Sequence, residues 1–117
     1  MTKTVNYIPS IYDVAWVNLP FQGEFSLHGY HPCVIYEKIG SNYRIVPISS
    51  CKGNIQWCEY PLEEGRCNLK KKSKLKLDQD KNVSIEQIKY KIGIADNNIR
   101  IIIKDFLINR ANNIQLQ

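Results

Sequence analysis

The feature that most constrains the fold is a series of short segments in which apolar and polar residues alternate, separated by turn residues. Pro20 ends the first segment, and a turn that begins at Gly40 separates two others, which predicts a β-hairpin. Such segments are typical of the strands of a small, mainly β domain. The predicted strands are residues 12–19, 32–37, 43–48, 55–60, 74–77 and 83–88.

Two connections between these strands stand out. Residues 21–30 contain Gly23 and Gly29 and show no sustained period, which predicts a loop that is longer than most strand connections. Long loops in small barrels often cover sites. Residues 61–65, between the fourth and fifth segments, have the composition of a turn.

The C-terminal stretch fits two structures. Apolar residues recur there at helical spacing, and Asp96 or Asn97 can serve as the N-cap of a helix. Residues 92–103, around the pair that starts at Asn97, also suit a β-hairpin. We prefer the helix because Lys104 and Asp105 interrupt the alternation while the apolar stripe continues. The prediction is five or six short strands followed by one C-terminal helix, which make a small barrel or a curled sheet with the helix packed on it.

Composition limits the class of protein. The 117 residues are 44% apolar and 23% charged, and they contain no repeats, which predicts one globular domain over residues 1–117. Residues 1–10 lack a basic region followed by an apolar run, and no run of about 18 apolar residues is present. We therefore expect a cytoplasmic protein with no membrane contact.

The cysteines do not form a metal or redox motif, because no two of them have the two-residue spacing of a zinc knuckle. We expect reduced thiols, no metal and no cofactor. A zinc site assembled from all four positions is the alternative. The cysteines are Cys33, Cys51, Cys58 and Cys67.

The net charge of +5 is concentrated in a short lysine run. Such a run indicates binding to a polyanion, or else a solvated strand edge that discourages aggregation. The run consists of Lys70, Lys71, Lys72, Lys74 and Lys76.

Four segments resemble, in order, the motifs of the MazF/PemK family of toxin ribonucleases. DVAWVNLP at 13–20 is similar to the family's opening strand, and GYHPCVI at 29–35 to its Gly-x-Arg-Pro segment. IVPISS at 45–50 is similar to its Val-x-Pro-Ile-Thr-Ser segment, and IEQIK at 85–89 to Asp-Gln-Ile-Arg-Thr. The resemblance covers nearly the whole chain and implies a mainly β fold with a C-terminal α-helix, a small SH3-like β-barrel of the CcdB/MazF type.

The same resemblance implies a function. Members of this family are metal-independent endoribonucleases of toxin-antitoxin systems, which cleave single-stranded mRNA by attack of the 2′-OH and leave a 2′,3′-cyclic phosphate. The resemblance also implies a homodimer and an antitoxin protein that lies in the RNA groove.

The reaction needs a base near the 2′-OH, an acid near the leaving oxygen and donors for the phosphate. His31 stands where the family has arginine, and Ser49 where it has threonine or serine. An imidazole exchanges protons near neutral pH, which suits acid or base catalysis. His28 is the candidate for a second proton-transfer group, and Glu86 for a base or a group that orients an imidazole.

Phosphate attraction is assigned to Arg44 and the lysine run, and Ser50 is a second hydroxyl beside Ser49. Trp16 and Trp57 either stack bases or belong to the core. Two other functions stay open. One is a catalytically inactive MazF/CcdB-like module that binds nucleic acid, gyrase or another protein, and the other is an unrelated SH3-like interaction domain.

Overall fold

Seven strands and one C-terminal helix make up the computed structural model, which describes residues 7–23, 27–50 and 53–116, with side chains up to residue 111. Every strand pairing is antiparallel. The elements confirm the predicted mainly β fold with a C-terminal helix. They are β1 (Asp13–Leu19), β2 (Gly29–Ile39), β3 (Asn42–Ser50), β4 (Glu59–Leu62), β5 (Ser73–Lys76), β6 (Lys81–Ser84), β7 (Ile88–Ile94) and α1 (Asn97–Leu116).

The strands follow the order β4-β5-β3-β2-β1-β7, and β6 lies beside β3. The central strand β3 uses one edge for two partners: residues 42–45 pair with β6, and residues 48–50 pair with β5. Its other edge forms the predicted hairpin with β2. β3 is therefore shared by both parts of the sheet and links β4 and β5 to the remaining strands.

Buried side chains lie on both faces of the central strands. Val14 and Val34 point to the cluster that contains Ile99 and Ile103 of α1. Full burial of an aliphatic side chain of this size contributes about 1.5–3 kcal/mol, so this contact holds the helix on the sheet. The alternate residues form a second cluster, which consists of Ala15, Val17, Leu19, Cys33, Ile35, Tyr43, Ile45, Val83 and Ile88.

The helix starts where the preferred prediction placed it. The Asp96 carboxylate accepts a hydrogen bond from the Ile99 backbone N–H at 3.1 Å, which makes Asp96 the N-cap. Arg66 holds the same carboxylate from the other side at 2.8 Å. The alternative hairpin over residues 92–103 is therefore wrong.

The predicted strand at residues 55–60 is wrong in position, because β4 begins only at Glu59. The Glu59 carboxylate accepts a hydrogen bond from the Gln56 backbone N–H at 2.9 Å, and this contact folds the preceding residues into a turn. Trp57 lies in that turn and is 84% exposed, so it does not belong to the core.

The predicted strand at residues 83–88 is interrupted. Gln87 Oε1 accepts a hydrogen bond from the Ser84 backbone N–H at 3.0 Å, and the chain forms a 3₁₀ turn over Ile85–Gln87. Ile88 then starts β7, a strand that the sequence analysis did not predict.

The chain between β4 and β5 is anchored on β7. The predicted turn at 61–65 starts late because Pro61 belongs to β4, and a 3₁₀ turn follows over Arg66–Asn68. Asn68 Nδ2 donates to the Ile92 carbonyl at 2.9 Å. A Cβ on Gly93 would overlap the backbone of this turn, so only glycine allows the close approach.

The predicted loop at 21–30 includes residues 24–26, which lie outside the described residues, as does Cys51. Of the remaining cysteines, Cys33 and Cys58 are buried free thiols and Cys67 is a half-buried one. The one helix in the described part of the chain is not long and apolar enough to cross a membrane.

Candidate nucleic-acid interface

A cavity of about 590 Å³ opens between the strands β1, β2, β3 and β7 and the segment at 68–73. This size is ordinary for a ligand site. Apolar side chains line part of it, and these are Pro32, Ile48, Leu69 and Ile92. Asn68 and Ser73 also line it, together with the polar, charged and aromatic residues described next.

His31 and Ser49 are brought together by strand register. Cys33 of β2 lies opposite Pro47 of β3, and continuing this antiparallel register by two residues places His31 beside Ser49. Both residues line the cavity, as does Ser50. Two of the four predicted catalytic residues therefore share one site.

The orientation of the His31 ring follows from one contact. Its Nδ1 lies 3.3 Å from the Ile48 carbonyl oxygen. Since a carbonyl only accepts hydrogen bonds, this contact places the ring proton on Nδ1 and leaves the lone pair of the neutral imidazole on Nε2. Nε2 is then the atom that can take a proton from a ligand.

The cavity is electropositive. Lys70 and Lys71 line it from the segment after the 3₁₀ turn, and Lys91 lines it from β7. Lys91 Nζ lies 3.5 Å from the buried Asp13 carboxylate, so part of its charge is compensated. Lys70 and Lys71 form no ion pair with any residue that the structure describes, so their charge is available to an anion.

Three aromatic rings form one side of the cavity. Trp16 of β1 stacks on Tyr30 of β2, with centroids 6.0 Å apart, and on Tyr90 of β7, with centroids 6.4 Å apart. Of these three rings, the sequence analysis considered only Trp16. Tyr90 could have been found from residues 88–94, where Ile88, Tyr90 and Ile92 alternate with polar residues or glycine.

Lys74 and Lys76, which were predicted to bind RNA, are engaged elsewhere. Lys74 lies 3.2 Å from one carboxylate oxygen of Glu59, and Lys76 binds the other. Burial opposes ionisation of this carboxyl group, but hydrogen bonds from Lys76, the Gln56 N–H and Lys74 lower the pKa of Glu59 to about 2. Neither lysine lines the cavity.

Arg44, also predicted to bind RNA, belongs to a second charged cluster. It contacts the Asp80 carboxylate at 2.5 Å, and Arg110 of α1 contacts the same group at 2.9 Å. The Tyr36 hydroxyl donates to it at 3.0 Å. Burial opposes ionisation of Asp80, but hydrogen bonds from Arg110 and Tyr36 and the charges of Arg110 and Arg44 lower the pKa of its carboxyl group. Arg44 therefore helps to join α1 to the sheet and does not line the cavity.

The other predicted site residues also lie outside the cavity. The His28 ring packs edge-on against Phe21, with centroids 5.1 Å apart. Glu86 is an exposed residue of the 3₁₀ turn before β7, and Lys72 is exposed beside Lys71. No group of three or more potential metal ligands occurs within residues 7–23, 27–50 and 53–116.

Comparison with known proteins supports the fold and gives no closer assignment. No family model matches the sequence, and no curated protein matches it. Among solved structures, the Mycobacterium tuberculosis toxin MazF-mt6 is similar, with a TM-score of 0.65 and 13% sequence identity. The match covers 86% of this chain and 96% of that one. The chain therefore has a MazF-like fold.

Proposed function

We propose that this protein is a metal-independent endoribonuclease of a toxin-antitoxin system. Its substrate is single-stranded RNA, and its product is a 2′,3′-cyclic phosphate. The observation that carries the proposal is the meeting of His31, Ser49, Lys70 and Lys71 in one cavity. The toxin of similar fold and the ordered motif resemblance support it.

Each of these residues has a role in the reaction. Nε2 of His31 takes the proton of the 2′-OH as the 2′ oxygen attacks phosphorus, and the bond from phosphorus to the 5′ oxygen breaks. The Ser49 hydroxyl donates a hydrogen bond to a non-bridging oxygen. Lys70 and Lys71 hold the phosphate and offset the charge that builds on it.

The acid for the leaving 5′ oxygen has to come from another group. His28 and Glu86, the two remaining candidates, do not line the cavity. Lys70 and Lys71 do line it, and an ammonium group has protons to donate. We assign the protonation of the 5′ oxygen to one of these two lysines.

The test is cleavage of single-stranded RNA in the presence of EDTA, with analysis of the product ends. We expect 2′,3′-cyclic phosphate ends and a rate that changes between about pH 5 and 8, as imidazole chemistry requires. His31→Ala should lower the rate by about 10²–10⁴-fold, and Ser49→Ala by about 10²–10³-fold.

The same assay on His28→Ala and Glu86→Gln tests the two groups outside the cavity. If both variants cleave at the wild-type rate, the groups that transfer protons lie inside the cavity. If the wild-type protein leaves mixed-sequence RNA intact over the whole pH range, the ribonuclease proposal fails. The inactive binding module is then the better description.

The proposal includes two protein partners that the resemblance implies, a second copy of this chain and an antitoxin. Light scattering coupled to size-exclusion chromatography measures the first. We expect the mass of a dimer, about twice 13.6 kDa. If the protein is a monomer that still cleaves RNA, the proposed dimer is wrong and the proposed ribonuclease reaction stands.

A further inference from the structure

The three rings beside the cavity occupy adjacent strands. Trp16 lies directly opposite Tyr90, and Tyr30 lies opposite Asn18, two residues along β1 from Trp16. The ring planes differ by 14° for the first stacked pair and by 24° for the second. The rings of β2, β1 and β7 therefore form a row of nearly parallel planes across the sheet.

The two outer rings of this row are exposed. Tyr30 is 50% exposed and Tyr90 is 55% exposed, whereas Tyr43, on the other face of the sheet, is 4% exposed. A tyrosine that serves only to stabilise the fold is better placed when its ring is buried. Within the described residues, Trp16 is the one ring that contacts either tyrosine, so each tyrosine retains ring surface for a ligand.

The surroundings of the row restrict that ligand. Trp16, Tyr30 and Tyr90 line the same cavity as the cations Lys70 and Lys71. An apolar partner would leave the lysine charges uncompensated, and an inorganic anion would not use the rings. A single-stranded nucleic acid offers flat bases and a negatively charged backbone together.

We propose that Trp16, Tyr30 and Tyr90 form a stacking platform for unpaired bases of the RNA. This inference rests on the proposed function and specifies how that site holds its substrate. The outer tyrosines take one base each, while Lys70 and Lys71 bind the intervening phosphates.

Stacking tolerates every base, because each base has a π-face. The platform therefore supplies affinity and not sequence choice. It also requires bases that are free of a complementary strand, so it selects single-stranded RNA. Because Tyr30 and His31 line the same cavity, a base that stacks on Tyr30 brings its neighbouring phosphate into the cavity that holds His31.

The experiment measures binding of a short, mixed-sequence 2′-O-methyl oligoribonucleotide, which lacks the attacking 2′-OH and stays uncut. Tyr30→Leu and Tyr90→Leu should each raise the Kd about 5- to 150-fold, which corresponds to about 1–3 kcal/mol. Tyr30→Phe and Tyr90→Phe keep a ring at each position and should retain wild-type affinity. Trp57→Leu, which changes an exposed ring away from the cavity, should retain it as well.

A second probe with the same backbone but abasic nucleotides separates stacking from phosphate contacts. The wild type and both leucine variants should bind this probe equally well. If the leucine variants lose affinity for both probes to the same extent, the platform is excluded, because phosphate contacts or altered folding then explain the loss. Thermal unfolding of each variant tells these two explanations apart.

The two proposals fail in different ways. Equal affinity of the wild type and both leucine variants for the probe with bases overturns the platform and leaves the ribonuclease proposal standing. Absence of binding to either probe by the wild type overturns both.

Discussion

The lysine run divides at Ser73 into two regions that differ in what their charges contact. Lys70 and Lys71 line the cavity and have no acidic partner among the described residues. Lys74 and Lys76 lie in β5 and share the carboxylate of Glu59. A run of like charges in a sequence therefore does not define one binding surface, because each lysine must be judged by its partner.

Strand register explains the division. Glu59 of β4 lies directly opposite Lys76 of β5, and Lys74 is two residues away on the same face. Glu59 is 7% exposed, and a buried carboxylate needs such partners to stay ionised. Lys70 and Lys71 precede the strand, where the 3₁₀ turn on β7 positions them.

The largest expected effect on stability comes from replacing Lys74 and Lys76, the two lysines that bind Glu59. Lys74→Met/Lys76→Met leaves that carboxylate buried without a cation, so the free energy of unfolding should fall by about 3–5 kcal/mol. The matched variant Lys70→Met/Lys71→Met should change it by less than about 0.5 kcal/mol. Urea denaturation measures both. Equal losses in the two variants would contradict the division.

Acid should weaken the same region. The pKa of Glu59 is lowered from 4.5 to about 2, so its ion pairs stabilise the folded state above about pH 4.5. This contribution is lost as the pH falls from 4.5 towards 2. Urea midpoints over this range should fall more steeply for the wild type than for Glu59→Gln, in which Asp80 and Asp96 still titrate. Parallel curves would show that Glu59 has no such role.

A substitution at Gly93 tests whether the contact between the 3₁₀ turn at 66–68 and β7 positions Lys70 and Lys71. Gly93→Ala forces the turn with Cys67 away from β7, and overpacking of this kind costs about 1–3 kcal/mol of stability. RNA affinity should fall with it, since Lys70 and Lys71 follow that turn. Lys89→Ala on the same strand is exposed and should leave stability and affinity at wild-type values. A stable Gly93→Ala protein would mean that the anchor is dispensable.

The smallest expected effect is on salt dependence. For a single strand, log K falls with log salt, and each phosphate contact contributes about 0.7 to the steepness of that fall. Lys70→Met/Lys71→Met should therefore make the slope shallower by about 1.4. The control Lys104→Met, an exposed lysine of α1, should leave the slope unchanged. Titrations of the 2′-O-methyl probe at several salt concentrations measure it. An unchanged slope in the double variant would exclude these lysines from phosphate binding.

Local patterns were enough to predict much of the fold. The alternation in β1, β2 and β3 and the helical spacing after Asp96 are properties of neighbouring residues, and these predictions are confirmed. The strand at 55–60 and the continuous strand at 83–88 were wrong because the side chains of Glu59 and Gln87 accept hydrogen bonds from backbone N–H groups three residues earlier, which folds those segments into turns.

The sequence pointed to candidate site residues only where a motif carried the information. The proximity of His31 and Ser49 agrees with the positions that the motif resemblance singled out. The row formed by Trp16, Tyr30 and Tyr90 was not predicted, because three different strands contribute one ring each. Pairing between distant strands also decides which lysines form ion pairs with a carboxylate. The sequence shows no local sign of that pairing.

The central claim is that the cavity between β1, β2, β3, β7 and residues 68–73 is the RNA site. The most direct test is a titration of the ¹⁵N-labelled protein with the 2′-O-methyl probe, followed by amide and indole chemical shifts. We predict that the shifts concentrate on Trp16, Tyr30, Ser49 and Lys70, while β4 stays unchanged. Shifts centred on Trp57 and α1 instead would contradict the account.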